Sequence, residues 1–309
     1  MIEEKFSHND INTQVFQLLE DLTTVGMKSS PRGQEVVEAT LCTLDIDPTL
    51  PIMNFPARKF NWKYFAGELA WYLKGDLDTE FIKNFSGFWE NIKNPDGSIN
   101  SNYGSILLNS HPSTTFYPEG SWRKPVNQLE WVYNSLVKDS YSRQAIAFLN
   151  CPFYQFGENK DFVCTAYLNF WIRKGYLDMK VQMRSNDIFF GLTYDAPWFS
   201  LIHQSMYLNL KKVYKDLKLG MYYHCADNIH YYERHFELVD KILEVSPEHS
   251  QKILLTRPLF ELENGFALTT EAIEYVDTIQ SIVDDPEKFA EMKYADWRIA
   301  MSSFLNIEE

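Results

Sequence analysis

Basic residues are in short supply: 29 Lys and Arg stand against 42 Asp and Glu, a formal net charge of -13. This excludes the broad basic face that neutralises polymeric nucleic acid, yet leaves room for a few local arginines around a small anion. Cysteine is scarce too. Cys42, Cys151, Cys164 and Cys225 are scattered through 309 residues, with no CxxC pair and no His/Cys cluster at zinc spacing. A disulfide framework and a structural zinc site are thereby excluded, and each thiol is free for packing or chemistry in a reducing cytoplasm. No apolar run approaches the ~18 residues of a membrane-spanning helix. The amino-terminal MIEEKFSHNDIN is too acidic and polar for a signal peptide. Low-complexity runs and like-charge blocks are absent, which excludes extended disorder.

Apolar and aromatic residues are plentiful, at 45% and 16% of the chain. That is enough for a sizeable, rigid core in one large domain or two modest ones. The most informative stretch runs from Asp161 to Asp195, DFVCTAYLNFWIRKGYLDMKVQMRSNDIFFGLTYD. One strand alternates Ala166, Leu168, Phe170 and Ile172 with Tyr167, Asn169, Trp171 and Arg173. Lys174-Gly175 turns the chain, and a return strand alternates Leu177, Met179, Val181 and Met183 with Asp178, Lys180, Gln182 and Arg184. Cys164 stands just ahead of the first strand. Arg184 closes the second, and with Ser185 beside it a guanidinium fork and a hydroxyl suit a phosphate. Asp195-Ala196-Pro197 signals a helix starting near Ala196, and Asp195 fits two roles there, helix cap or ligand contact.

Elsewhere, residues 11 to 28 carry helical apolar spacing. Arg32 follows in the turn KSSPRGQE, as a solvated loop residue or a ligand arginine. WKYFAGELAWYL makes an amphipathic helix from Trp62 to Leu73, stopped by Lys74-Gly75, with Glu68 on its flank near Tyr64 and Tyr72. Against aromatics a carboxylate's charged form is disfavoured, which suits proton transfer; a rim carboxylate in water is the plainer role. PDG marks a turn. Trp89 and Tyr103 line a pocket or fill the core. Residues 105 to 124 read as loop, and a helix is expected near Val126 to Leu136. Arg143 precedes a strand-like AIAFL as a further candidate cation. In ADNIHYYERHF, a strand would put His230 and Tyr232 on one face, and metal-ligand spacing is missing. Beyond about Ser246 the chain reads as an acidic, helix-rich extension without a motif.

Several of these segments occur together and in order: GELAWYL around Glu68, NSNYG ending at Gly104, DFVCT ending at Thr165, MRSNDIFFGLTYD ending at Asp195, and IHYYERHF ending at Phe236. In them the chain resembles the thymidylate synthase family, and within it the deoxycytidylate hydroxymethylases with which some DNA phages modify their DNA. The likeness spans roughly Thr23 to Ile242. It implies a single α/β (α+β) catalytic domain, with a twisted mixed sheet flanked by helices and a homodimer packed sheet to sheet. Residues 246 to 309 stay unassigned. The resemblance gives Cys164 the role of nucleophile at C6 of a pyrimidine, Glu68 that of organising water and protons, and Tyr103 a place beside the nucleophile. Arg184, Ser185 and the mobile-loop Arg32 match phosphate ligands. Arg143 matches an arginine donated by the other subunit, although Gln144 stands where the family often has a second one. His230 and Tyr232 match the sugar-hydroxyl pair. Asp187 matches an acid near the folate pterin, with Trp89 and Gly191 as further folate contacts.

Asp195 bears on the base. The synthases have an asparagine there, suited to uracil; an aspartic acid can accept from a cytosine amino group and, when protonated, donate to N3. The implied reaction converts dCMP, 5,10-methylenetetrahydrofolate and water to 5-hydroxymethyl-dCMP and tetrahydrofolate, without a metal. It would take place in the cytoplasm, the host's if the chain is phage-encoded. Hydroxymethylation of CMP, a dUMP methyl- or hydroxymethyltransferase, and a non-catalytic nucleotide binder are the alternatives.

Overall fold

The central hairpin forms because its two strands have period-two apolar patterning and its turn residues permit the required twist. In the computed structural model, which describes residues 10–111, 126–302 and 304–308, Thr165–Arg173 pairs antiparallel with Tyr176–Met183. Lys174 and Gly175 both take left-handed conformations, φ 53° and 79°. Two consecutive residues of that kind make the hairpin turn that matches strand twist.

The hairpin lies inside a seven-stranded mixed sheet. Its order is Met27–Ser29, Val36–Ile46, Lys218–Tyr232, Tyr176–Met183, Thr165–Arg173 and Ile146–Phe148, with Asn186–Asp187 also beside Lys218–Tyr232. Both pairings onto Lys218–Tyr232 from the hairpin side are parallel, and the others of this sheet are antiparallel. A parallel pair needs a long crossover, here the helix Thr193–Val213. That helix is buried on nearly every side, through Trp198, Phe199, Ile202, Met206 and Leu210. The hairpin's other face keeps Tyr167, Asn169, Trp171, Lys180 and Gln182 half-buried.

The helix Trp62–Lys74 is capped by Asn61, whose side chain accepts from the Tyr64 amide, and it ends at Gly75 with φ 70°. Next to it, part of the stretch expected to be loop is helical: Tyr103–Leu108 forms a short helix. Asn102 is the reason. Its Oδ1 accepts from the Ser105 amide at 2.8 Å, while its Nδ2 donates to the carbonyls of Trp71 and Asp76. Residues 112–124 of the expected loop lie outside the described residues. The following helix runs Gln128–Lys138, two residues later than its predicted span.

The carboxy-terminal region is not purely helical. Lys252–Leu255 pairs with Leu305–Glu308, and Thr270–Val283 packs on Trp62–Lys74, where the Tyr275 hydroxyl donates to the Ala66 carbonyl at 2.7 Å. Trp297 and Phe304 join the same core.

Gly104 sets the distance between two helices of the site, because a Cβ there would lie 1.6 Å from the Tyr72 carbonyl oxygen. Gly104→Ala is therefore expected to cost about 3 kcal/mol, seen as a lower urea midpoint with unchanged slope. An unaltered midpoint would show that these helices separate freely.

Candidate active site

Hairpin register places the nucleophile candidate. Thr165 opposes Met183, so the next residue along each strand brings Cys164 to Arg184, and the Arg184 amide donates to the Cys164 carbonyl at 2.9 Å. The arginine then folds over the same segment: Nε donates to the Val163 carbonyl at 3.1 Å, Nη2 to the Phe162 carbonyl, and Nη2 lies 3.4 Å from the Cys164 Sγ. Burial pushes the thiol above its ordinary value. Arg184 pulls it down, and so, more weakly, does Arg32. The expected activating cation is thus in place, but burial outweighs it.

Two acids stand nearby. Glu68 is 5% exposed, which removes the rim-carboxylate role. The Tyr64 hydroxyl donates to it at 2.7 Å and in turn accepts from the Trp89 indole at 3.2 Å. Burial pushes Glu68 up to about 8; hydrogen bonds from Tyr64 and Tyr72 work against this, and Asp195 works with it. Asp195 is half-buried and pushed up to about 7, again by burial, with Asn186 opposing. Tyr103 stacks between Tyr72 and Phe199, 5.6 Å from each, with its hydroxyl bonded to Thr165. Its phenol feels the charges of both Asp195 and Cys164.

The crossover helix begins at Thr193, not at Ala196, so Asp195 lies inside its first turn. Its Oδ2 accepts from Asn186 Nδ2 at 2.7 Å. Capping falls to Asp187, whose Oδ1 accepts from the amides of Phe189 and Phe190 at the start of the wide turn Ile188–Leu192. The other oxygen, Oδ2, is buried with no partner among the described residues. Gly191 faces the Asn186–Asp195 pair: a Cβ there would come within 2.6 Å of Asn186 Nδ2 and 3.3 Å of Asp195 Oδ2.

His230 and Tyr232 share a strand face as predicted, with rings edge to face at 5.2 Å. His230 Nδ1 pairs with Asn228 Oδ1 at 2.9 Å. Arg32 is exposed in a left-handed conformation, φ 53°, and its charge reaches Cys164 and Tyr232. Ser185 is half-buried between Arg184 and Asn186. Arg143 stands apart from this group: it is exposed and lines a crevice with Asn169, Trp171 and Arg173. Sequence reasoning missed Asn186, His224 and Tyr222. The last two were discernible only as polar groups on the buried side of an alternating strand.

A thiol beside a guanidinium, with two acids that hold protons near neutrality, suits nucleophilic addition and proton transfer on a small anionic substrate. The thymidylate synthase family model matches residues 13–280, and the chain belongs to that family. Its members are enzymes that transfer one-carbon units to pyrimidine nucleotides and use methylenetetrahydrofolate. The match extends past Ile242, where the motif resemblance stopped, into the helix Thr270–Val283.

Among curated relatives, the deoxycytidylate 5-hydroxymethyltransferase of Enterobacteria phage T4 is 29% identical over 202 residues, 62% of this chain and 76% of the phage protein. The deoxyuridylate hydroxymethyltransferase of Bacillus phage SP01 is 27% identical over 226 residues, 71% of this chain and 57% of that protein. The thymidylate synthase of Mycoplasma pneumoniae is 24% identical over 231 residues, 68% of this chain and 77% of its own. Among the described residues no His, Cys, Asp and Glu cluster could hold a metal ion, and no helix is long and apolar enough to cross a membrane.

Glu68 makes stability depend on pH in a definite direction. Its carboxyl rises from 4.5 to about 8 on folding, so the folded state binds the extra proton across that window and stability falls as pH rises through it. Glu68→Gln should gain melting temperature over the parent as pH climbs from about 4.5 to about 8. A gap that stays constant with pH would mean that Glu68 titrates normally.

Proposed function

We propose that the protein hydroxymethylates C5 of deoxycytidylate, with methylenetetrahydrofolate supplying the one-carbon unit and water the hydroxyl. The observation that carries this reading is Asp195: an acid whose pKa is near 7, standing in the cluster that holds Cys164, Glu68 and Tyr103. Near neutrality it is available with its proton, as one acceptor and one donor. That pair fits the 4-amino group and bare N3 of cytosine. The two phage relatives named above as hydroxymethyltransferases support water, rather than hydride, as the last reactant.

In this reading Arg184, Ser185 and Arg32 bind the phosphate, and Arg143 joins them from a second subunit of a homodimer. The half-open hairpin face supports such a sheet-to-sheet pairing. His230 and Tyr232 hold the sugar hydroxyl. Cys164, drawn toward thiolate by the bound arginines, adds to C6, which makes C5 a carbon nucleophile. Glu68, carrying a proton up to about pH 8, exchanges it with water and with the ring, and Tyr103 orders the space beside the sulfur. The residues present also fit the folate. The unpartnered Oδ2 of Asp187 offers a buried acceptor to an N–H of the pterin, with Trp89 and Gly191 as further folate contacts in this reading.

A panel of dCMP, dUMP and CMP with the folate, read by product mass, tests this. 5-Hydroxymethyl-dCMP is the expected product; a methylated product, or turnover of dUMP alone, would overturn the reading, and turnover of CMP alone would transfer it to the ribonucleotide. Cys164→Ala is expected to abolish tritium release from C5-labelled dCMP, and retained release would remove the sulfur from the mechanism. Protonated Asp195 supplies the N3 donor, so kcat/KM for dCMP should decline as pH rises through about 7. Asp195→Asn should lose that limb and turn toward dUMP.

A further inference from the structure

Behind Asp195 runs a buried chain of polar groups that the mechanism above does not use. Asn186 Nδ2 donates to Asp195 Oδ2 at 2.7 Å, Asn186 Oδ1 lies 3.0 Å from His224 Nε2, and His224 Nδ1 lies 2.7 Å from the Tyr222 hydroxyl. Tyr222, His224 and Asn186 are 0%, 1% and 3% exposed, so bulk solvent does not reach these groups. We infer that Tyr222, His224 and Asn186 act as a one-way hydrogen-bond relay that fixes which oxygen of Asp195 accepts and which carries the proton, and so sets the base the enzyme selects. The inference rests on the assignment of Asp195 to base recognition.

The direction follows from the far end. Among the described residues, the recorded hydrogen-bond partner of the Tyr222 hydroxyl is His224 alone. A phenol so buried keeps its proton, because burial drives its pKa well above the ordinary value. It must therefore donate to His224 Nδ1, or leave a buried O–H unpaired at a cost of ~1–3 kcal/mol. With Nδ1 accepting, the neutral imidazole carries its hydrogen on Nε2; burial holds it neutral by lowering its pKa to about 3. Nε2–H then donates to the amide oxygen of Asn186, so the amide nitrogen faces Asp195. Oδ2 is left as an acceptor, and the acid's proton resides on Oδ1.

The consequence for selectivity is one of order. Cytosine presents a donor at position 4 and an acceptor at N3; uracil presents the same two functions reversed. A carboxylic acid free to exchange its proton between oxygens could satisfy either base. One whose Oδ2 is committed to accepting offers a single order, with Oδ2 taking the amino hydrogen and Oδ1 donating to N3. Gly191 supports the relay passively, since any side chain there would displace Asn186 from Asp195.

The test compares kcat/KM for dCMP and dUMP in the parent and in Tyr222→Phe, which removes only the hydroxyl that sets direction. If the parent does not prefer the cytosine nucleotide, the reading of Asp195 itself fails. If it does, Tyr222→Phe is expected to lower the dCMP-to-dUMP ratio about tenfold, chiefly by improved use of dUMP, the factor that corresponds to one lost direction-setting hydrogen bond. An unchanged ratio in folded Tyr222→Phe would overturn the relay. Independently of any variant, 15N spectra of the parent should show His224 protonated on Nε2 and bare on Nδ1. The opposite tautomer would also overturn it.

Discussion

The amide of Arg184 donates to the carbonyl of Cys164, and the rest of the site is arranged around that single backbone hydrogen bond. It lies at the open end of the hairpin, just beyond an irregular step between Thr165 and Tyr167, and it fixes where a sulfur and a guanidinium meet. A slip of one residue would turn both side chains to the opposite face. The register is held elsewhere: the apolar residues Leu168, Phe170, Met179 and Val181 commit one face to the core, and the left-handed Lys174-Gly175 turn fixes the loop length. The chemistry thus depends on packing along the whole hairpin.

A second constraint is the concentration of acid in a place with little water. Burial raises the proton affinity of both Glu68 and Asp195, and the charge of Asp195 raises that of Glu68 further. Such a pair opposes stability near neutral pH, and the fold offsets it by large aromatic burial close at hand. Trp71, Trp198 and Phe199 are almost wholly enclosed, and Tyr64 and Tyr72 turn hydroxyls toward Glu68 while their rings complete the core. The abundance of aromatics in the composition has its use here: each ring excludes water and carries, where needed, one polar tip.

Much of this was legible in the residues. Period-two alternation and Lys174-Gly175 specified the hairpin, and the helical stripe with Glu68 on its flank specified the helix Trp62–Lys74. The ordered motifs pointed to the family that the comparison then showed. What escaped detection had physical causes. Residues 105–108 read as loop because a helix of six residues, Tyr103–Leu108, has too little periodicity, and its existence depends on Asn102 reaching a neighbouring helix. The helix at Asp195 was started too late because Asp195-Ala196-Pro197 imitates a cap, whereas Asp187 caps a wide turn ahead of it. Tyr222 and His224 looked like ordinary core positions of a strand. Only the three-dimensional placement of Asn186 turns them into a polar chain. Arg143 stands exposed beside Asn169, Trp171 and Arg173, apart from the other candidate residues.

The bond from Tyr275 to the Ala66 carbonyl bears on how the chain is made. Residues of the helix Thr270–Val283 cover the helix that carries Glu68, and they are translated about 200 residues after it. Until then, the side of that helix on which Tyr275 reaches the Ala66 carbonyl lacks its cover. The hairpin with Cys164 and Arg184 can form earlier, from local contacts. The strands that carry Cys164 and Arg184 are therefore complete in the growing chain before the helix that carries Glu68 receives its cover.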